Sequence, residues 1–77
     1  MKARLIEKVV GGPMPMASLG EGIFQALPHV GEHIEVEDSS GIAQIYAVLT
    51  VIHSSRGEGN DLIVQHVGES SSFRLSL

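Results

Sequence analysis

His33, Glu35 and Glu37 occupy alternate positions of one short run, and Gln44 and Tyr46 follow across a turn. Residues two apart on a strand share a face at a separation of roughly 6.6–7 Å, close to the carboxylate spacing that glycoside hydrolysis uses. That chemistry also needs a deep sugar cleft, which 77 residues can hardly build. The expected role of these residues is therefore an exposed polar face used in recognition, not catalysis.

Other reactive side chains fail on geometry. His29 and His33 have a spacing that would share one face of a helix, but Pro28 and Gly31 make a helix a poor fit. His53 and His66 belong to paired strands yet sit too far apart along the ladder to share an ion. His53, Ser54, Ser55 and Asp61 flank one loop, but adjacent strand residues point to opposite faces, so His53 would not meet Ser54. The Gly-Glu-Gly stretches at 20–22 and 57–59 are too short to cradle phosphate and carry a repelling charge. Met14 and Met16 offer thioethers without partner ligands, so they read as apolar loop residues that pack over a barrel end or into a partner. No catalytic residue, metal site or cofactor is expected.

The elements that position these residues read as strands. Nine glycines and many β-branched residues punctuate the chain, and no stretch has helical periodicity. Strands are expected over 2–10, 33–37, 42–53, 61–67 and 73–77, the last with Phe73, Leu75 and Leu77 inward. Gly11-Gly12-Pro13 ends the first strand. Residues 14–27 admit a strand, a helical turn or a loop. Their apolar Leu19, Ile23 and Phe24 make them a candidate interaction surface or a lid over the barrel.

The run Ile42–Ile52 is apolar on both alternate faces, whereas a half-exposed strand alternates apolar with polar. Pairing Glu37 with Ile42 sets Ile34 opposite Ile45. Pairing His53 with Asp61 sets Val51 opposite Ile63 and Val48 opposite His66. In this register the two-sided segment narrows to Val48–Ile52, backed by Leu62 and Val64. A strand that changes its wetted face along its length bends between packed sheets. The fold expected for residues 1–77 is thus a single all-β domain: a small, strongly bent, five- or six-stranded antiparallel barrel with little or no helix.

Leu27-Pro28-His29-Val30-Gly31 leading into a strand, then a tight turn and Tyr46-Ala47-Val48, resembles the opening of the SH3-like small barrels found in short bacterial and phage proteins. The resemblance implies a barrel fold and a binding role without specifying a ligand.

Composition narrows the function further. The formal charge is −4. Lys2, Arg4 and Lys8 gather near the start, and Glu32, Glu35, Glu37 and Asp38 near the middle. Nucleic-acid binders present a basic stripe to phosphates, so that role is the alternative, using Lys2, Arg4, Lys8, Arg56 and Arg74 with Tyr46, Phe24 or Phe73 for stacking. The absence of cysteine excludes disulfides. No apolar run approaches the ~20 residues that span a bilayer, and no signal-peptide core precedes the first strand, so the cytoplasm is expected. The leading expectation is a non-enzymatic, acidic protein-binding module. In one version it is a phage- or mobile-element-encoded inhibitor whose acidic face covers a basic site. Self-association as a homodimer is expected because a small unstapled domain gains buried area by association. The contact residues expected are Met14, Met16, Phe24, Glu35, Glu37, Tyr46, Val48 and Ile52.

Overall fold

A computed structural model describes residues 1–11, 15–56 and 59–77. Five strands and one short helix follow in order: β1 Lys2–Lys8, β2 Met16–Ile23, β3 His33–Glu37, β4 Ala43–His53, β5 Asn60–Glu69 and α1 Ser70–Leu75. The strands form one sheet in the order β2-β1-β5-β4-β3. This sheet is curled into a half-barrel. The expected all-β class holds, with two corrections. β1 and β5 pair in parallel, so the sheet is mixed. β2 and β3 remain at opposite edges of the sheet, so its ends do not meet.

The undecided stretch 14–27 contains a strand: β2 pairs antiparallel with β1, and a bulge intervenes where Leu5 opposes Gly20 and Ile6 opposes Ser18. Leu19 is the extra residue. Gly20 takes φ +91° there, a left-handed conformation that glycine enters without steric cost.

The expected hairpin register is wrong by one residue. Glu37 opposes Ala43, and Ile34 opposes Tyr46. The turn is tighter than expected, because Asp38 N donates to Ile42 O at 2.9 Å and Gly41 N donates to Asp38 O at 3.0 Å. Three residues therefore span it, with Gly41 at φ +81°, a common hairpin geometry. A one-residue slip moves every side chain to the opposite face. Ile34 and Val36 accordingly join Tyr46 on the concave face.

The two-sided character of β4 has two sources. Val48 opposes Val64 and Thr50 opposes Ile63, which leaves Leu49 as an extra residue on β4. This bulge changes the parity that faces inward. Tyr46 and Val48 point into the core before it, and Val51, opposite Leu62, packs against the core after it. The expected Val48–His66 and Val51–Ile63 pairings are thereby replaced. The second source is α1. Ile45 opposes Glu35, on the side of the sheet that bonds to α1, and is nonetheless buried.

That helix replaces the strand expected at 73–77. Six residues are too few for a helix to persist alone, and a network of side chains holds it to the sheet. Ser70 donates to Glu35, and Arg74, one turn further on, donates to both Ser70 Oγ (3.0 Å) and Glu35 Oε2 (2.9 Å). Phe73 lies half-buried with its ring centroid 5.0 Å from that of His33. Leu75 and Leu77, expected inward, are almost fully exposed.

The core consists of Ala3, Leu5, Ile34, Tyr46, Val48, Leu62 and Val64 on the concave face, with Leu19, Phe24, Leu27, Val36 and Val51 packed around it. No helix is long and apolar enough to cross a membrane among the described residues.

Candidate functional site

The free edge of β3 follows from its ladder. Antiparallel neighbours alternate between residues that exchange backbone hydrogen bonds and residues that do not. Asp38 bonds Ile42, so Val36 and Ile34, at the same phase, bond Gln44 and Tyr46. The peptide groups of His33, Glu35 and Glu37 consequently point away from β4. Nothing among the described strands pairs with them.

A groove of about 460 Å³ runs beside this edge, lined by Phe24, Leu27, Pro28 and Ile34 on its apolar side and by His33 and Glu35 on its polar side. Phe24 and Leu27 are half-buried against the core, so they are fixed walls. The loop between them and β3 is tied down as well. His29 N donates to Glu32 Oε1 (2.5 Å), Glu32 N donates to His29 O (3.1 Å), and Gly31 N donates to Val48 O (2.9 Å).

The acidic residues divide by what they do. The Ser70 hydroxyl, followed by the Arg74 guanidinium, holds the Glu35 carboxyl below the ordinary glutamate range. Asp38 is held low first by the Ile42 amide and further by Gln44 and the Ser40 amide. Glu32 accepts from His29. Glu37 has no ion-pair partner among the described residues. Three of the four acids expected to form a covering face therefore also stabilise local structure.

A second polar line crosses the concave face. Gln44 Nε2 donates to Asp38 Oδ2 at 3.1 Å, and Gln44 Oε1 lies 2.7 Å from His66 Nε2. The Asp38 carboxylate fixes the orientation of the amide, so His66 carries its proton on Nε2. The His66 ring meets the Tyr46 ring edge-on at 5.3 Å. Burial pushes the Tyr46 phenol up, and the charges of Glu7 and Asp38 add to the effect; the phenol stays neutral.

The expected contact residues disperse. Met14 lies outside the described residues. Met16 is 43% exposed on β2, and Ile52 is 49% exposed on the convex face opposite Asp61. Tyr46 and Val48 are 6% and 1% exposed, so they are core residues that a partner does not meet directly. Phe24 and Glu35 line the groove, and Glu37 continues along its edge. The residues that sequence reasoning did not assign to this site are Leu27, Pro28 and His29 along the groove, and Ser70 and Arg74 behind it. Ser70 and Arg74 do carry a signal, since their four-residue spacing brings side chains together on a helix.

At the other end of the sheet, Arg4 makes a two-pronged bond to Asp61 (Nε–Oδ1 3.1 Å, Nη2–Oδ2 2.9 Å). Lys2 lies 3.4 Å from Glu21. Among the described residues, no three His, Asp or Glu side chains gather in a metal-binding cluster. Compared with known protein families, curated proteins and solved structures, the chain matches none.

Proposed function

We propose that this chain is a non-enzymatic, cytoplasmic protein-binding module that takes an extended, basic segment of a partner along the β3 edge. The observation that carries the reading is the juxtaposition of three outward peptide groups, at His33, Glu35 and Glu37, with the apolar groove beneath Phe24 and Leu27. An added strand gains affinity from main-chain hydrogen bonds and specificity from pockets for alternate side chains. Glu32, Glu35 and Glu37 make the rim acidic, which favours lysine and arginine in the bound segment.

The nucleic-acid alternative has less support. Its basic residues Lys2 and Arg4 are paired with acids, and its stacking candidate Tyr46 is buried. Single-strand binding uses aromatic faces open to bases.

The test is a titration with a labelled peptide that alternates lysine and valine, beside an acidic peptide of the same pattern and single- and double-stranded oligonucleotides. Saturable binding of the basic peptide, weakened by salt and by Glu37→Lys, is expected. Failure to bind it, or tighter binding of an oligonucleotide, would overturn the reading.

A further inference from the structure

The opposite edge of the sheet is built differently. At one end of the β1–β2 ladder Phe24 N donates to Met1 O (2.7 Å), and at the other Val9 N donates to Pro15 O (2.9 Å). Counting inward from both ends by the antiparallel alternation, Gly22 and Ala17 bond to β1. Met16, Ser18, Glu21 and Ile23 therefore direct their peptide groups away from it. Their side chains share one face, because their β1 partners are Lys8, Ile6, Arg4 and Lys2, all of one parity.

The Leu19 bulge gives this set a symmetry. Three positions separate Ser18 from Glu21, and two separate Met16 from Ser18 and Glu21 from Ile23. The outward groups are thus mirrored about the Leu19–Gly20 bond. Two copies of β2 laid antiparallel with Met16 opposite Ile23 and Ser18 opposite Glu21 match every outward group with another. A slipped register leaves some unmatched. The bulge is already satisfied internally, since Gly20 N donates to Ser18 Oγ at 3.3 Å.

Charge separates the two edges. Natural sheets protect an edge with short strands and charged residues. β3 has five residues, including two glutamates, and a two-fold pairing there would set acid against acid. β2 has eight residues and a single charge, Glu21, which is already beside Lys2 and would face Ser18. Its end residues Ile23 and Met16, 84% and 43% exposed, would cover each other.

We propose that a second copy of this chain occupies the β2 edge, pairing antiparallel about the Leu19–Gly20 bond to continue one sheet through both copies. The contact is one strand wide, so association is of the small, concentration-dependent kind. It does not require the β3 site.

Sedimentation across a concentration series tests it, together with a cysteine pair. The chain has no cysteine, so thiols from Ser18→Cys/Glu21→Cys can bridge only each other. Paired residues of this type have Cα atoms about 5.5 Å apart, within disulfide reach. Within one strand the two positions are roughly 10 Å apart, beyond that reach. A reversible dimer that oxidation makes covalent is expected. Ile23→Lys, at an exposed side chain, and Ser18→Pro, which removes an outward amide together with the hydroxyl that accepts from Gly20 N, should each lose the dimer at concentrations where the parent has it. A parent that stays monomeric, a dimer indifferent to both substitutions, or a dimer that the thiols do not bridge would overturn the proposal. Circular dichroism checks the fold of each variant. Titration of the Ile23→Lys monomer with the lysine–valine peptide separates the two edges: retained peptide binding with lost dimerisation is the expected pair of results.

Discussion

The ring of Phe24 occupies space that Gly22 leaves open: a β-carbon at position 22 would stand 2.9 Å from two ring atoms. Gly22 has no left-handed torsion to explain it, so its value here is close approach. The glycine lets Phe24 fold back over β2 onto the core and form a wall of the β3 groove. Gly22→Ala should therefore swing the ring aside while leaving the strands paired. The expected outcome is altered shifts at Phe24 and Leu27 with an intact β-sheet spectrum, and weaker binding of the basic peptide. Unchanged peptide affinity would show that Phe24 is not a wall that matters.

Burial sorts the apolar residues of the long hairpin. Leu62 is fully buried and Val48 nearly so, while Ile52 is half-exposed. Leu62→Ala should cost about 2–5 kcal/mol through lost contact and a cavity, a large share of a small domain's stability. Ile52→Ala should cost under ~1 kcal/mol, near the range of surface substitutions. The same ordering should hold for Val48→Asp against Ile52→Asp, because only the first buries an unpaired charge. Urea melts of the four variants check it.

Gly41 fixes the register of the β3–β4 hairpin. Its φ of +81° closes a three-residue turn, and a side chain in a left-handed conformation costs roughly 1–2 kcal/mol. Gly41→Ala should lower stability by about that amount, whereas Gly41→Asn should cost less, since asparagine tolerates the conformation. Thermal melts of both variants would show the difference.

The strands were legible because β-branched and aromatic residues cluster between glycine-rich turns. Their pairing was less so, for local reasons. A turn of three residues in place of four inverted the faces of Ile34 and Tyr46, and either length suits Asp38–Gly41. The Leu49 bulge leaves no mark in an uninterrupted apolar run, so the doubled face of β4 read as a strand bent between two packed sheets when the backbone itself supplied the change of side. α1 was hidden by alternation: Phe73, Leu75 and Leu77 imitate a strand, and the helix depends on Glu35, distant in sequence. β2 was obscured by its two glycines and one serine, which resemble a loop. The Glu35 edge was recognised as a polar surface, but the groove beside it requires a loop fold that composition does not convey.

Acid should release α1 before it unfolds the sheet. Glu35 is the acceptor that joins the helix to β3, and its bonds from Ser70 and Arg74 lower its carboxyl below the unfolded value. A carboxyl depressed in the folded state contributes stability that is fully present above its unfolded pKa and is lost as pH falls through the folded one. The window therefore opens near the ordinary glutamate value of 4.5 and extends downward. Asp38 is depressed for separate reasons, in the hairpin turn, so global stability should decline over an overlapping range. A local probe separates the two. The protection of the Phe73, Arg74 and Ser76 amides, taken relative to their intrinsic exchange rates at each pH, should fall on acidification in the parent. In Glu35→Gln it should already be lower at neutral pH and change little through the window. In Asp38→Asn the helix amides should titrate as in the parent while the 38–42 turn loses its protection. A helix whose exchange followed Asp38 would mean that α1 is held by the hairpin and not by Glu35.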